Sequence, residues 1–434
     1  MFKESNRIVL IDDNASDLEQ LSKVFYDNGI GCRTFLYDSF YNTPLLGIKI
    51  LFLDINLSGA QSDQQRNSTL RDAIIHYVHE ENGPFVLVLW TNNTQWIDSF
   101  KVYVNRSVDA DLYKRFPYYF TNIDKNEFYD KQKDLEEKIK SIFNNSVVST
   151  LFDFEESLSL SASKTISQII SIIPKGESWG DDKEFYENLQ KVFSTIAVQT
   201  AGYNKAKENP DRAIKEAIIP ILANAFVQEE HTIWGEVLNN LKFSTNKSEI
   251  FFPKSFNEAR LNSIFHINDN VANNYDRGAV CPLLFDLKKT TAFNDKFGFD
   301  FKDWFSCSFP DVTKEERDQS QLVCVEFSAA CDYSQNKRRT NKYLLGELLP
   351  VSSLEKMEKS QRKGDFLLLL PYKFDIQGKE QIIAFNLNFT FTIDPSAITQ
   401  TLGEPLFCFK KEMMDLIGSK YADHISRIGI TTFR

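Results

Sequence analysis

The feature of this sequence that most restricts its fold is a set of apolar runs that each stop at a polar side chain. One run ends at Asp12 and Asp13, a second at Asp54 and a third at Thr91, and a helical pattern at residues 70–78 separates the last two runs. Continuous apolar strands that alternate with helices are typical of a parallel sheet buried on both faces. Ligands bind beyond the carboxyl ends of such strands, so these polar side chains are predicted to share one edge of the sheet.

A further strand and a helix mark the end of this first region. An apolar segment at residues 118–123 precedes Lys125, and residues 129–144 carry Lys and Glu at helical spacing. We therefore predict that residues 1–146 form an α/β domain with a doubly wound, five-stranded parallel sheet. Lys125 would join the acidic and hydroxyl side chains at the same edge.

The rest of the chain has different patterns. A chain of 434 residues is too long for a single core. Residues 147–245 indicate a helical region, and residues 246–434 indicate a β-rich domain with a helix at its end. Apolar and polar side chains alternate at residues 385–393, which predicts a strand with one face in a core and one in water.

The amino-acid composition restricts the cellular compartment and the binding partners that we expect for this protein. The formal net charge of -10 and a pI near 5.2 argue against binding to nucleic acid or to an anionic membrane, which favour basic surfaces. No apolar run is long enough to span a bilayer, and the first residues lack the apolar core of a signal peptide, so a cytoplasmic protein is expected. The six cysteines are too scattered for a disulfide framework or a zinc module.

The strand-end motifs resemble one known family. The segments Ile-Val-Leu-Ile-Asp12-Asp13-Asn, Leu-Phe-Leu-Asp54-Ile-Asn-Leu and Leu-Val-Leu-Trp-Thr91 are similar, in order and spacing, to the receiver domain of bacterial two-component response regulators. The resemblance covers about the first third of the chain. It implies that Asp54 accepts a phosphoryl group from a histidine kinase or a phosphotransfer protein. It also implies that the backbone carbonyl of Asn56 is a metal ligand.

The chemistry of phosphoryl acceptance accounts for these residue types. A carboxylate that attacks phosphorus needs a divalent cation to neutralise the charge that builds up. Asp12 and Asp13, with Asp54, offer the oxygen ligands that Mg²⁺ prefers. Asp54 would be the nucleophile that forms an acyl phosphate. Thr91 would donate its hydroxyl to a phosphoryl oxygen, and Lys125 would pair with the phosphoryl group as a mobile point charge.

Several positions depart from the family pattern. The usual Lys-Pro after the last strand is Lys125-Asn126, and Asn92 follows Thr91 where a small residue is common. The stretch between Thr91 and Lys125 is longer than is typical. Lys114 has the more usual spacing but lies in a charged segment, so Lys125 is preferred and Lys114 stays open.

Three functions fit the sequence. The first is an atypical response regulator with an effector or partner-binding module that does not bind DNA, acting in a relay or as a phosphate sink, with anti-phage phosphorelays as one setting and a homodimer as an open option. The second is a receiver-gated enzyme, in which Cys331 and Asp332 would work with His266 or His424. The third is an unphosphorylated pseudo-receiver scaffold, in which the Asp residues only cap strands. The basic residues 337–339 are interpreted as a solvated loop.

Overall fold

The structure of the protein is a computed structural model. It describes residues 7–59, 62–106, 109–129, 131–174, 182–228, 256–269, 273–284, 290–329, 340–361 and 366–426. These residues divide into two compact units. The first contains the described residues of 7–164 and 224–228, and the second contains those of 165–223 and 256–426. The predicted domain limits at residues 146 and 245 remain predictions.

The first unit contains the predicted parallel sheet. Its five strands are paired in the order β2-β1-β3-β4-β5, and all the pairings are parallel. The strands are β1 Ile8–Asp12, β2 Arg33–Leu36, β3 Ile50–Leu53, β4 Val86–Thr91 and β5 Tyr119–Asp124. The helices are α1 Ala15–Asp27, α2 Asp63–Tyr77, α3 Ile97–Arg106, α4 Ala110–Tyr113, α5 Lys125–Phe128 and α6 Gln132–Phe143. A short 3-10 helix, Thr94–Trp96, precedes α3.

Helices cover both faces of this sheet, which explains why the central strands are apolar throughout. Every residue of β3 and β4 is buried. One face packs against α1 and α6 through a core that includes Phe25, Phe52 and Ile139. The other face packs against α2 and α3 through a core that includes Leu70 and Phe100. The predicted doubly wound α/β architecture is therefore confirmed.

The segment between β2 and β3 is the main irregularity of the unit. Residues 37–49 are all described, and they form no helix. The ring of Tyr41 stacks on Tyr77 of α2 with centroids 4.3 Å apart, and Leu45 forms a parallel β-bridge with Val78. Aromatic stacking, this bridge and backbone hydrogen bonds thus anchor the connection to the end of α2.

The residues that follow are helical, as the sequence predicts for this part of the chain. The helices are α7 Ser146–Ser171, α8 Asp182–Ala201, α9 Tyr203–Glu208 and α10 Pro210–Val227. The division between the two units falls within α7 and within α10. Among the described helices, none is both long and apolar enough to cross a membrane.

The second unit is built on an antiparallel sheet of seven strands in the order β10-β11-β9-β8-β7-β12-β6. The strands are β6 Ile267–Asn268, β7 Ala279–Pro282, β8 Gln321–Glu326, β9 Asn341–Pro350, β10 Leu367–Ile376, β11 Lys379–Ile393 and β12 Phe407–Phe409. The helices are α11 Glu258–His266, α12 Thr290–Phe297, α13 Phe301–Ser308, α14 Lys314–Asp318, α15 Leu354–Gln361, α16 Ile398–Thr401 and α17 Lys411–Ile425. Two 3-10 helices are Val351–Ser353 and Pro395–Ala397. The predicted β-rich region with a final helix is confirmed.

The longest strand of this sheet, β11, corrects one expectation. Its alternating residues do not face one core and water, because the two faces of the sheet each pack against a separate core. Phe385 and Leu387 lie on one side, whereas Phe389 and Phe391 pack against the other. The pairing of β11 with β9 shifts register between Phe385 and Thr390, and this bulge turns the later residues to the opposite face.

The close packing of β9 against β11 predicts a sensitive position. A Cβ atom on Gly346 would lie 2.5 Å from the carbonyl oxygen of Ala384 and 2.5 Å from the ring of Phe385. Gly346→Ala should therefore destabilise the second unit by about 1–3 kcal/mol, measured as a lower urea midpoint of its unfolding transition. Gly418→Ala is the matched control, since a Cβ there meets no atom within 4 Å and α17 should gain helix propensity. Equal midpoints for the two variants would contradict this packing.

Candidate functional site

The register of the parallel strands builds the site. Ile11 of β1 pairs with Leu53 of β3, so Asp12 and Asp54 are the next residues on adjacent strands. The backbone N–H of Asp54 donates to the carbonyl of Ile11 at 3.0 Å, which fixes the two strand ends side by side. Asp13 follows Asp12 directly and is exposed. The three side chains therefore lie together at the carboxyl edge of the sheet, where the sequence predicts them.

The three carboxylates form a compact acidic cluster. Each of Asp12, Asp13 and Asp54 offers an oxygen that lies within 4.8 Å of the other two. Asp12 is fully buried and Asp54 nearly so, because β1 and β3 are central strands. Among the described residues, no other group of three or more His, Cys, Asp and Glu side chains has ligand atoms this close together.

Lys125 neutralises part of this negative charge. It begins α5 directly after β5, and its side chain is only 4% exposed. The Lys125 Nζ atom lies 2.5 Å from Asp12 Oδ2 and 3.4 Å from Asp54 Oδ2. Lys114, the alternative, pairs with Glu80 at 2.7 Å on an exposed surface. The structure thus places Lys125, and not Lys114, in the acidic cluster.

A fourth carboxylate, Asp17, was missed from the sequence. It lies in the first turn of α1, and its Oδ2 atom is 2.8 Å from Lys125 Nζ. Asn14 caps this helix by accepting a hydrogen bond from the N–H of Ser16. The sequence carries one indication of this position, since Asp17 comes one helical turn after Asp13. A side chain at a strand end and a side chain in the first turn of the following helix can face the same edge of a sheet.

Thr91 lies at the end of β4, fully buried. Its hydroxyl oxygen accepts a hydrogen bond from the N–H of Asn93 at 3.1 Å, a bond that does not use the hydroxyl proton. Asn56 follows Asp54 by two residues, and its side-chain oxygen is buried without a hydrogen-bond partner in the described part of the chain.

Two departures from the family pattern meet in one contact. The side-chain amide of Asn126 donates to the backbone carbonyl of Asn92 at 3.1 Å. Asn126 follows Lys125 directly, and Asn92 follows Thr91. A proline at position 126 could not donate this bond. The hydrogen bond therefore joins the residue that follows β4 to the second residue of α5.

Burial and charge set the protonation of the cluster. Burial raises the pKa of Asp12 to about 7; the ammonium of Lys125 opposes this rise, and the carboxylate of Asp54 adds to it. Burial and the charge of Asp54 also raise the pKa of Asp13. Burial lowers the pKa of Lys125, but the carboxylates of Asp54 and Asp12 outweigh it, so the pKa of the ammonium is raised overall. The carboxyls of Asp12 and Asp13 therefore bind a proton more readily than isolated carboxyls do.

The donor set fits a hard divalent cation. Three carboxylate oxygens at one point, with an exposed side at Asp13, match the oxygen ligands and retained waters of Mg²⁺. Asp12, Asp13 and Asp54 would hold such an ion. Lys125 is the one cation paired with these carboxylates in the described part of the chain, so the ionised cluster keeps an excess of negative charge that a second cation would balance.

Comparison with known proteins adds no further constraint. No family model, no curated protein and no solved structure matches this chain. The first unit is a receiver-like α/β fold with a buried aspartate cluster at the carboxyl edge of its parallel sheet. Cys331, Asp332 and the basic residues 337–339 lie outside the described residues. His266 stacks on Tyr372, and the ring Nε2 of His424 lies 2.8 Å from Asn388.

The protonation of Asp12 predicts how stability depends on pH. The pKa of this carboxyl is about 7 in the folded chain against an ordinary value of 3.8. The folded form binds the proton more tightly, so the stabilisation is full below about pH 4 and is lost as the pH rises through 7. The loss is at most on the order of 4 kcal/mol. Metal-free protein should unfold at a lower denaturant concentration at pH 8 than at pH 5, and Asp12→Asn should remove most of this difference.

A carboxyl outside the cluster gives the control for this pH effect. Asp98→Asn changes a side chain that is 93% exposed, and it should keep the pH dependence of the wild type. Saturating Mg²⁺ should also reduce the loss at pH 8, because the ion binds the ionised carboxylate of the folded form. A pH dependence that is the same in the Asp12→Asn and Asp98→Asn variants would show that the buried carboxyl is not its source.

Lys125 is an internal competitor for a bound cation. Lys125→Met removes one positive charge a few ångströms from the carboxylates, so Mg²⁺ should bind roughly tenfold more tightly at about pH 8. Lys114→Met is the control, since Lys114 pairs with Glu80 outside the cluster and its loss should leave the affinity unchanged. Calorimetric titration of the folded variants measures both. Weaker Mg²⁺ binding to Lys125→Met than to Lys114→Met would mean that the lysine helps to hold the ion.

Proposed function

We propose that the first unit is the receiver domain of an atypical bacterial response regulator, which accepts a phosphoryl group on Asp54. One observation carries the proposal. At the carboxyl edge of a five-stranded parallel sheet, a buried lysine from the last strand end lies between the acidic residues of the first and third strands. This constellation supplies a nucleophile, metal ligands and a cation for the phosphoryl oxygens.

Asp54 acts as the nucleophile in this proposal. Its Oδ1 atom accepts a hydrogen bond from the N–H of Ile55 at 2.7 Å, and its Oδ2 atom faces Lys125. These two contacts orient the carboxylate before the phosphodonor arrives, which reduces the entropy cost of the attack. An oxygen of Asp54 forms a bond to phosphorus, and the bond between phosphorus and the donor breaks. Mg²⁺, held by Asp12, Asp13 and Asp54, neutralises charge on the phosphoryl oxygens when it is bound.

Thr91 and Lys125 would contact the phosphoryl group on Asp54. The hydroxyl proton of Thr91 can donate to a phosphoryl oxygen while the oxygen of Thr91 keeps its bond from Asn93. Lys125 can pair with another phosphoryl oxygen. Both contacts require the phosphoryl group, so phosphorylation favours one arrangement of two segments, the end of β4 and the start of α5. The hydrogen bond between Asn126 and Asn92 joins these segments, so a movement of one changes the position of the other.

The burial of the charges argues against a role in strand capping alone. Asp12 does accept a hydrogen bond from the N–H of Asn14, as a capping residue would. Turn formation does not need the second oxygen of Asp12, which is buried against Lys125. Placing several charges of like sign away from water costs several kcal/mol unless they are well paired. Such a cost is expected at a site where chemistry uses the charges.

The proposal extends to partners and setting. A histidine kinase or a phosphotransfer protein would donate the phosphoryl group, in the cytoplasm. The helical region and the sheet of the second unit would form an effector or partner-binding module that does not bind DNA. A chain of this kind could transmit a signal or drain phosphoryl groups from a kinase, as in an anti-phage phosphorelay.

Phosphoryl acceptance can be tested directly. We expect intact-mass spectrometry to detect the gain of one phosphoryl group after incubation with acetyl phosphate and Mg²⁺. The gain should vanish without Mg²⁺ and in Asp54→Asn, because the variant lacks the nucleophilic oxygen. Asp98→Asn, which removes an exposed carboxyl of the same unit, should behave like the wild type. Absence of any gain with both acetyl phosphate and phosphoramidate, or an undiminished gain in Asp54→Asn, would refute the proposal.

A further inference from the structure

Lys125 is surrounded by three carboxylates rather than two. Its Nζ atom lies 2.5 Å from Asp12, 2.8 Å from Asp17 and 3.4 Å from Asp54. The ammonium donates hydrogen bonds to Asp12 and Asp17, whereas its contact with Asp54 is an ion pair. The longest of the three distances is the one to Asp54, the residue that would carry the phosphoryl group. The resting ammonium is therefore held more closely by Asp12 and Asp17 than by Asp54.

Asp17 differs from the other two carboxylates in its surroundings. It comes from α1 and not from a strand end, and it is not part of the cluster of three carboxylates that could hold a metal ion. Its side chain is 13% exposed, so its contact with Lys125 is only weakly screened by water. A cation bound by Asp12 and Asp13 would draw on the charge of Asp12, whereas Asp17 would keep its hold on Lys125.

We propose that Asp17 is a positioning residue that restrains Lys125 and competes with the phosphoryl group for its ammonium. The inference rests on the proposed function of Asp54. In the resting site, Asp12 and Asp17 accept hydrogen bonds from Lys125, and its ammonium lies closer to them than to Asp54. When a phosphoryl group joins Asp54, its oxygens offer more negative charge than a carboxylate does, and Lys125 moves from Asp17 to them. Asp17 thereby sets how much free energy phosphorylation must supply to move the lysine.

The site allows this exchange with little rearrangement. Lys125 is at the start of a short helix, and its side chain has four rotatable bonds, which makes it a movable charge. The ring of Trp90 lies beneath it, with the Nζ atom 5.9 Å from the ring centroid. The side chain of Lys125 is 4% exposed, so a small rotation from Asp17 toward Asp54 would keep the ammonium largely out of water.

The test compares two single substitutions on one helix. Asp17→Asn keeps the shape of the side chain and removes its charge. Glu19→Gln removes the same charge from an exposed position of α1, and it controls for general attraction of the anionic phosphodonor. The rate of phosphoryl uptake from acetyl phosphate with Mg²⁺ is followed by intact mass. We expect Asp17→Asn to be roughly threefold to tenfold faster than Glu19→Gln, because Lys125 no longer has to leave a carboxylate.

Faster phosphoryl uptake would distinguish restraint of Lys125 by Asp17 from a purely structural role of Asp17, because damage to the site would slow uptake. The affinity for beryllofluoride, a stable analogue of the phosphoryl group, should tighten in Asp17→Asn by a similar factor. If Asp17→Asn is no faster than Glu19→Gln while the wild type takes up the group, the restraint is refuted and the proposed function stands. If neither the wild type nor Asp17→Asn takes up the group, both ideas fall. Uptake by Asp17→Asn alone would support both.

Discussion

The buried contact between the Lys125 ammonium and the carboxylates of Asp12, Asp17 and Asp54 is the constraint on which the first unit depends. Charges of this kind are costly to remove from water, and their pairing must be accurate to offset that cost. The accuracy comes from the sheet, because the register of β1 and β3 places Asp12 beside Asp54 and β5 delivers Lys125 from the far side. Apolar cores on both faces keep these strand ends in place.

Several kinds of cation can compete for the carboxylates of this contact. A proton, a divalent cation and the Lys125 ammonium can each neutralise Asp12, whose pKa is raised to about 7 chiefly by burial. Binding of one changes the affinity for the others, since they share one group of carboxylates. A phosphoryl group on Asp54 would add negative charge to the site, and it would compete with the carboxylates for the same positive charges. In the proposed receiver, the binding of a proton, a metal ion and a phosphoryl group would thereby be coupled at one group of carboxylates.

The sequence predicts the parts of this arrangement that depend on strand ends. Apolar runs that stop at Asp12, Asp54 and Thr91 define both the parallel sheet and the edge where these residues meet, because chain direction alone decides that edge. The choice of Lys125 over Lys114 also followed from local pattern, since only Lys125 comes directly after a strand.

What the sequence did not predict depends on contacts between distant residues. Asp17 is one of several polar residues on α1, and only the position of Lys125 in space distinguishes it. The bulge in β11 sends Phe385 and Phe389 to opposite cores although their spacing fits one uninterrupted strand. The bond from Asn126 to Asn92 likewise turns two separate departures from a family pattern into one link. Because this amide joins the residue after Thr91 to the residue after Lys125, the proposed receiver would use Thr91 and Lys125 as one switch rather than as two.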